Sequence, residues 1–273
     1  METSTEPSPS VPPSACTRCG TFAPLVDNGW RSLCAPCGEL ARHPLEGTAP
    51  HVSTLVTATA RIWLDLWSFA VPLALLFAVP HALAVWLLAP PWWFATLYAA
   101  VIGSFAEALL LSVAAEWAFG GRRDVRRALP RVEQRYFAVV GVNLLTNALV
   151  LAGMYTCVLG VFAIAVTLAA VPIALFERAN PLIAVRDSWR RSRGHRLRLF
   201  LLAAMVTLPL VVLSDLPNIL VGALRPWHLA LTTRQLSVMG VANVFVVALL
   251  NTVPQLLQLA VWQATRPAAP KPG

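Results

Sequence analysis

Four cysteines carry the clearest chemistry in this chain: Cys16 and Cys19 in CTRCG, and Cys34 and Cys37 in CAPCG. A C-x-x-C turn brings two sulfurs to one side of a metal ion, and two such turns complete the tetrahedral thiolate shell of a structural zinc site. Gly20 and Gly38 follow the two pairs and let backbone N–H groups approach the thiolates closely. The 14 residues between Cys19 and Cys34 fall just under the usual interval for paired C-x-x-C zinc sites. Between the pairs, the short apolar runs Thr21 to Val26 and Trp30 to Leu33 flank Asp27-Asn28-Gly29, a turn signal because Asn and Gly tolerate positive φ. Residues 15–40 are therefore expected to form a zinc ribbon, two knuckles joined by a β-hairpin around one structural Zn2+. Two disulfides in an exported domain are the competing reading, and it fails wherever the compartment is reducing. A redox C-x-x-C site would need a thioredoxin-like βαβ pattern, which neither pair has around it. Cys157, alone in an apolar segment, reads as a small hydrophobe.

What must position this module is a membrane domain. The chain is 57% hydrophobic and only 12% charged, with a mean hydropathy of +0.65, far from a soluble domain. Its net charge of +8 is almost wholly arginine, Lys271 being the single lysine. Because these charges interrupt apolar spans, they indicate membrane topology and not nucleic-acid binding. Residues 1–14 are a Ser/Pro-rich tail without the apolar core of a signal peptide and are expected to be disordered, as are residues 266–273. Residues 41–60 are expected to be a linker, and residues 61–265 a domain of about six transmembrane helices, so that the fold class is all-α integral membrane protein preceded by the ribbon. The spans are Ile62 to Leu88, Trp92 to Phe119, Tyr136 to Tyr155, Val158 to Phe176, Leu197 to Leu213 and Met239 to Trp262. Each supplies the roughly 17–20 apolar residues that cross about 30 Å of hydrocarbon, and backbone satisfaction in lipid requires each to be helical.

Arginine sets the orientation. Arg122, Arg123, Arg126, Arg127, Arg131 and Arg135 lie between spans two and three, and Arg178, Arg186, Arg190, Arg191, Arg193, Arg196 and Arg198 between spans four and five. The opposite side carries only Arg225 and Arg234. The positive-inside rule then places both termini, and the cysteine module, in the cytoplasm of a multi-pass inner-membrane protein. Trp63, Trp67, Trp92, Trp93, Trp227 and Trp262 sit near span ends, as an aromatic belt predicts.

Asn180-Pro181 is a helix start, with Asn as cap and Pro at the first helical position, and Gly194 is a C-terminal stop. Leu182, Val185 and Trp189 recur at helical spacing on one side of this segment, with Arg186, Arg190 and Arg193 on the polar side. The pattern predicts a short amphipathic helix at the membrane surface whose arginines either contact anionic lipid headgroups or only fix topology. The stretch Phe176-Glu177-Arg178-Ala179-Asn180-Pro181-Leu182-Ile183-Ala184-Val185-Arg186-Asp187-Ser188-Trp189, closing at Gly194, resembles the signature of the glycerophosphoryl diester phosphodiesterase membrane-domain family. The loop Gly120 to Leu129 resembles that family's first cytoplasmic loop, and the likeness covers about Thr54 to Arg266. Such a resemblance implies a six-helix membrane domain. It departs from the family pattern at Val171-Pro172-Ile173 and at the end of the last span, Trp262 to Arg266. It carries over no phosphodiesterase activity, since that chemistry needs a separate barrel of about 250 residues.

Ionisable and amide side chains inside spans are the remaining candidates. Glu107 lies near the middle of span two, and Glu116 near its arginine-rich end, where water is expected to reach it. Asn143 and Asn147 are one turn apart in span three, while Asn243, Asn251, Gln255 and Gln258 form a polar stripe around Pro254. One reading joins Glu107, Asn147, Asn251 and Gln255 in a polar midplane cavity for a headgroup, an ion or a proton. The other makes these groups interhelical hydrogen bonds without further function. There is no G-x-S-x-G, H-E-x-x-H or Walker glycine loop, and His43, His51, His81, His195 and His228 lack ligand spacing.

The expectation is thus a non-enzymatic membrane protein with membrane lipids around it and a cytoplasmic protein partner on its ribbon. Arg18 and Arg31 against Asp27 and Glu39 leave the ribbon nearly neutral, which disfavours nucleic acid. The alternative is a transporter or lipid-handling protein that works through the polar site around Glu107. Oligomeric state is not legible.

Overall fold

The computed structural model describes residues 25–27, 32–34, 51–88, 97–120, 123–153, 157–214 and 233–265. Cys16, Cys19, Cys37, both expected tails, Trp92, Trp93 and Trp227 lie outside them.

Two short strands, β1 (Leu25–Asp27) and β2 (Ser32–Cys34), pair antiparallel with Leu25 opposite Cys34, Val26 opposite Leu33 and Asp27 opposite Ser32. The remaining elements are helical. They are α1 (Val52–Leu88), a π-helical turn (Ala99–Gly103) leading into α2 (Ser104–Gly120), α3 (Val125–Gly153), α4 (Cys157–Thr167), α5 (Ala170–Phe176), α6 (Pro181–Arg191), α7 (Arg196–Ser214) and α8 (Thr233–Thr265). Among the described residues, five stretches are long and apolar enough to cross a membrane: Val52–Ala84, Ala100–Ala118, Val125–Gly153, Val158–Phe176 and Val238–Thr265. The expected fifth span coincides with α7, a 19-residue helix that starts with Arg196 and Arg198.

α1 begins at Val52, inside the stretch expected to be a linker. The reason is a buried stripe, Leu55, Thr59, Ile62, Leu66 and Ala70, which recurs at helical spacing and continues the packing face upstream of Ile62. That face lies along α8, where Leu256, Leu259, Ala260 and Gln263 are buried, and Trp63 Nε1 donates to Thr252 Oγ1 across the pair at 3.0 Å. α2 packs on α3, and α3 packs on α4, α5 and α6. The α3–α4 approach is very close, since a Cβ on Gly153 would stand 2.7 Å from the Gly160 backbone nitrogen.

The fourth span is two helices. Pro172 has no N–H to give the carbonyl four residues back, so the helix interrupts at Leu168-Ala169 and restarts as α5. Thr167 Oγ1 donates to the Ala163 carbonyl there at 2.8 Å. On the outside of the bundle, Leu64, Leu76, Leu87, Phe137, Leu197 and Met205 are all more than half exposed. Such a girdle of large apolar side chains, on helices of this length, is what a hydrocarbon environment covers.

Candidate functional site

Glu107 lies at the centre of a polar cluster in the helical domain. The π-helical turn ahead of α2 directs Ser104 and Glu107, one turn apart, toward α3. Ser104 Oγ donates to the Ala100 carbonyl at 2.5 Å and accepts from Asn143 Nδ2 at 2.8 Å. The same Asn143 nitrogen donates to Glu107 Oε2 at 2.6 Å, and Gln258 Nε2 donates to Glu107 Oε1 at 2.7 Å. Both carboxyl oxygens are therefore occupied, Glu107 is only 6% exposed, and three helices (α2, α3 and α8) meet on one side chain.

This is not the expected grouping. Asn147 is half-buried one turn further along α3 and is not a partner of Glu107. Asn251, which is exposed, and Gln255, which is half-buried, face a different space. The partners were present in the sequence as Asn143 and Gln258, indistinguishable there from Asn147 and Gln255. Ser104 had no signal of its own, because a lone Ser in an apolar helix is common.

That different space is a cavity of about 380 Å³ between α1, the start of α2, and α8. Ala70, Ala74 and Ala78 line one wall, while Asn243, Asn251 and Gln255 line the opposite one. His81 stacks on Tyr98 at 5.1 Å at the end farthest from the arginine-rich side, and the Tyr98 hydroxyl donates to the Phe77 carbonyl. A second cavity, about 310 Å³ between α1, α7 and α8, is almost wholly apolar, and its Thr59 hydroxyl already donates to the Leu55 carbonyl at 2.8 Å.

At the arginine-rich end, two carboxylates are held by arginines. Glu177 accepts from Arg191 Nη1 and Nη2 at 2.6 and 2.5 Å and from Trp262 Nε1 at 2.7 Å. Glu116 is buried and faces Arg131 at 3.3 Å, so the expected access of water is replaced by an ion pair. The Arg131 guanidinium also lies 5.8 Å from the centre of the Phe176 ring, which packs on Trp262 at 5.0 Å. Chain reversal after α5 uses Arg178 in the left-handed region at φ +59°, and its carbonyl accepts from Arg135 Nη1 at 3.3 Å.

The cap expected for the loop helix is present in α6: Asn180 Oδ1 accepts from the Ile183 N–H at 2.8 Å, Pro181 opens the helix, and Gly194 takes φ +87° beyond its end. Its protein-facing side is made of small residues, with Val185 half-buried against the core. Ala184 and Ser188 are buried, whereas Leu182 is 69% exposed and Trp189 37%. Small side chains win because α6 docks tightly: a Cβ on Gly141 of α3 would come within 2.7 Å of the Pro181 ring. Ser188 Oγ donates to the Val166 carbonyl at 2.8 Å, satisfying a backbone group near the break between α4 and α5. Arg186, Arg190 and Arg193 are all exposed, with Arg186 Nε 3.9 Å from Asp187.

Of the four metal-type cysteines, Cys34 ends β2 opposite Leu25, and the other three fall outside the described residues. Among the described residues no group of three or more His, Cys, Asp or Glu side chains is placed to hold a metal. Comparison of the chain with family models, curated proteins and solved structures finds no match.

Proposed function

We propose that this chain is a non-enzymatic, six-span membrane protein whose N-terminal hairpin, held by one zinc on Cys16, Cys19, Cys34 and Cys37, is a cytoplasmic docking module for a protein partner. The register of β1 and β2 is the observation that carries this reading. With Leu25 opposite Cys34, the chain that follows Cys19 and the chain that leads to Cys37 attach to the same end of the ladder, which is the connectivity a two-knuckle zinc ribbon needs. Four thiolates suit zinc, and a hairpin this short gains its folding free energy from the metal. The six-span count rests on α7 joining the five apolar stretches, at 19 residues and roughly 28 Å by helical rise. An even count keeps the arginine-bearing segments on one face, which by the positive-inside rule is cytoplasmic. The resemblance to the glycerophosphoryl diester phosphodiesterase membrane-domain family agrees with this count. The exposed Arg186, Arg190 and Arg193 suit contact with anionic headgroups on the same face.

Use of Glu107 as a transport or lipid-handling site receives less support, because its two oxygens already accept from Asn143 and Gln258. The test is native mass spectrometry of full-length protein extracted gently from its own membranes, with metal analysis in parallel. One zinc per chain, lost in Cys34→Ser together with a stoichiometric protein partner, is the expected result. Metal-free wild-type protein would overturn the zinc reading. Retention of the partner by Cys34→Ser would overturn the docking role.

A further inference from the structure

We infer that the cavity between α1, the start of α2 and α8 is a lateral binding site for an uncharged single-chain amphiphile with a hydroxyl-bearing head, held by Asn251 and Gln255. This site is separate from the Glu107 cluster and does not depend on the hairpin.

Two amides of α8 stand at a depth where hydrocarbon surrounds the bundle. Asn251 stands halfway along the apolar stretch Val238–Thr265, and Gln255 is one turn further on the same face. Among the described residues, neither side chain has a hydrogen-bond partner, whereas Gln258, only three positions on from Gln255, donates to Glu107. An amide facing hydrocarbon is costly unless something polar meets it. Both amides line the cavity, and Asn251 is exposed, so the space communicates with the surroundings of the bundle. Its volume, about 380 Å³, falls within the range of small-molecule sites.

The lining selects the ligand. Among the described residues that line the cavity there is no Asp, Glu, Lys or Arg, and His81 is stacked on Tyr98 at the far end, so a charged headgroup finds no counter-charge beside Asn251 and Gln255. Ala70, Ala74 and Ala78 recur every fourth residue on α1 and open a groove along the helix that an acyl chain can follow. Asn251 and Gln255 are about 6 Å apart along the helix axis, a separation that two hydroxyls of a glyceryl head can bridge. Each amide offers both donor and acceptor, which a hydroxyl matches in either direction. A monoacylglycerol-like lipid has these features. The neighbouring 310 Å³ cavity, with its almost wholly apolar wall, offers no such discrimination between heads.

The experiment is photolabelling of the full-length protein in phosphatidylcholine nanodiscs by a monoacylglycerol carrying a mid-chain diazirine, with labelled residues mapped by mass spectrometry. Adducts are expected on residues 70–78 and 244–255, and Asn251→Leu and Gln255→Leu are each expected to lower them about fivefold, the loss of roughly one hydrogen bond. Ala74→Phe fills the groove from the opposite wall while leaving both amides in place, and it is expected to lower labelling as well. Should the leucine variants fold poorly, Ala74→Phe decides the question alone. Labels spread evenly over lipid-facing positions such as Leu64 and Phe137 would overturn the site. So would labelling that all three variants leave unchanged. Equal labelling by the methyl ester or the free fatty acid with the same chain would overturn the assignment of an uncharged hydroxyl head.

Discussion

Gln255 and Gln258 belong to one turn of one helix, yet they live in different chemistries. Gln258 points between helices and donates to Glu107, which also accepts from Asn143, so both carboxyl oxygens of that cluster are satisfied inside the bundle, while Gln258 Oε1 is buried without a partner among the described residues. Gln255, with Asn251, borders a cavity and keeps its hydrogen-bonding capacity open. The difference lies in what faces the side chain, because a 60° rotation around α8 exchanges the carboxyl of α2 for the alanine wall of α1. A polar residue in a span is thus either internal adhesive or a binding group, depending on whether its partner comes from the same chain.

Reversible unfolding in mixed micelles tests whether the two regions differ in this way. Glu107→Ala leaves Gln258 Nε2 without its acceptor and Asn143 with Ser104 alone, and is expected to cost about 2–3 kcal/mol, the upper part of the range for unsatisfied buried donors. A loss no larger than that of an exposed-site variant would show that the cluster is not adhesive. Gly153→Ala forces a methyl group against the Gly160 backbone, which cannot give as a side chain would, and about 2 kcal/mol is expected. Glu177→Gln weakens a bidentate, partly exposed pair and a tryptophan bond; about 1 kcal/mol is expected, shrinking as salt is raised, and salt independence would contradict the ionic origin. Gln255→Leu probes the cavity side of α8. It removes an amide that no group among the described residues uses, so its unfolding free energy should stay within about 0.5 kcal/mol of wild type. A loss as large as that of Glu107→Ala would merge the two regions into one.

Much of this contrast was visible in residue types but not in pairings. Glu107 stood out because an acid in an apolar span is rare, and its placement among amides was expected; the choice of Asn147 over Asn143 was not recoverable, since both lie one turn apart on the same face. The cap Asn180, the stop Gly194 and the start Pro181 were readable because capping is local chemistry within four residues. The packing face of that same helix was not. Apolar periodicity marked Leu182, Val185 and Trp189 as the membrane-surface side, whereas the side buried against α3, Ala184 and Ser188, has no apolar signal and is selected by the close approach of Gly141. Likewise, the start of α1 moved to Val52 because a packing partner, α8, rewards the extra turns.

By itself, the sequence determined the apolar stretches, the arginine segregation, the paired cysteines and the local helix signals, since each depends on residues close together along the chain or on solvent preference alone. Only the tertiary structure decided which amide meets Glu107, which face of α6 is buried and where a cavity remains. Those outcomes depend on the register between helices far apart in sequence, and that register is set by small residues such as Gly141, Gly153 and Ala74, whose lack of bulk carries no signal until another helix is laid against them.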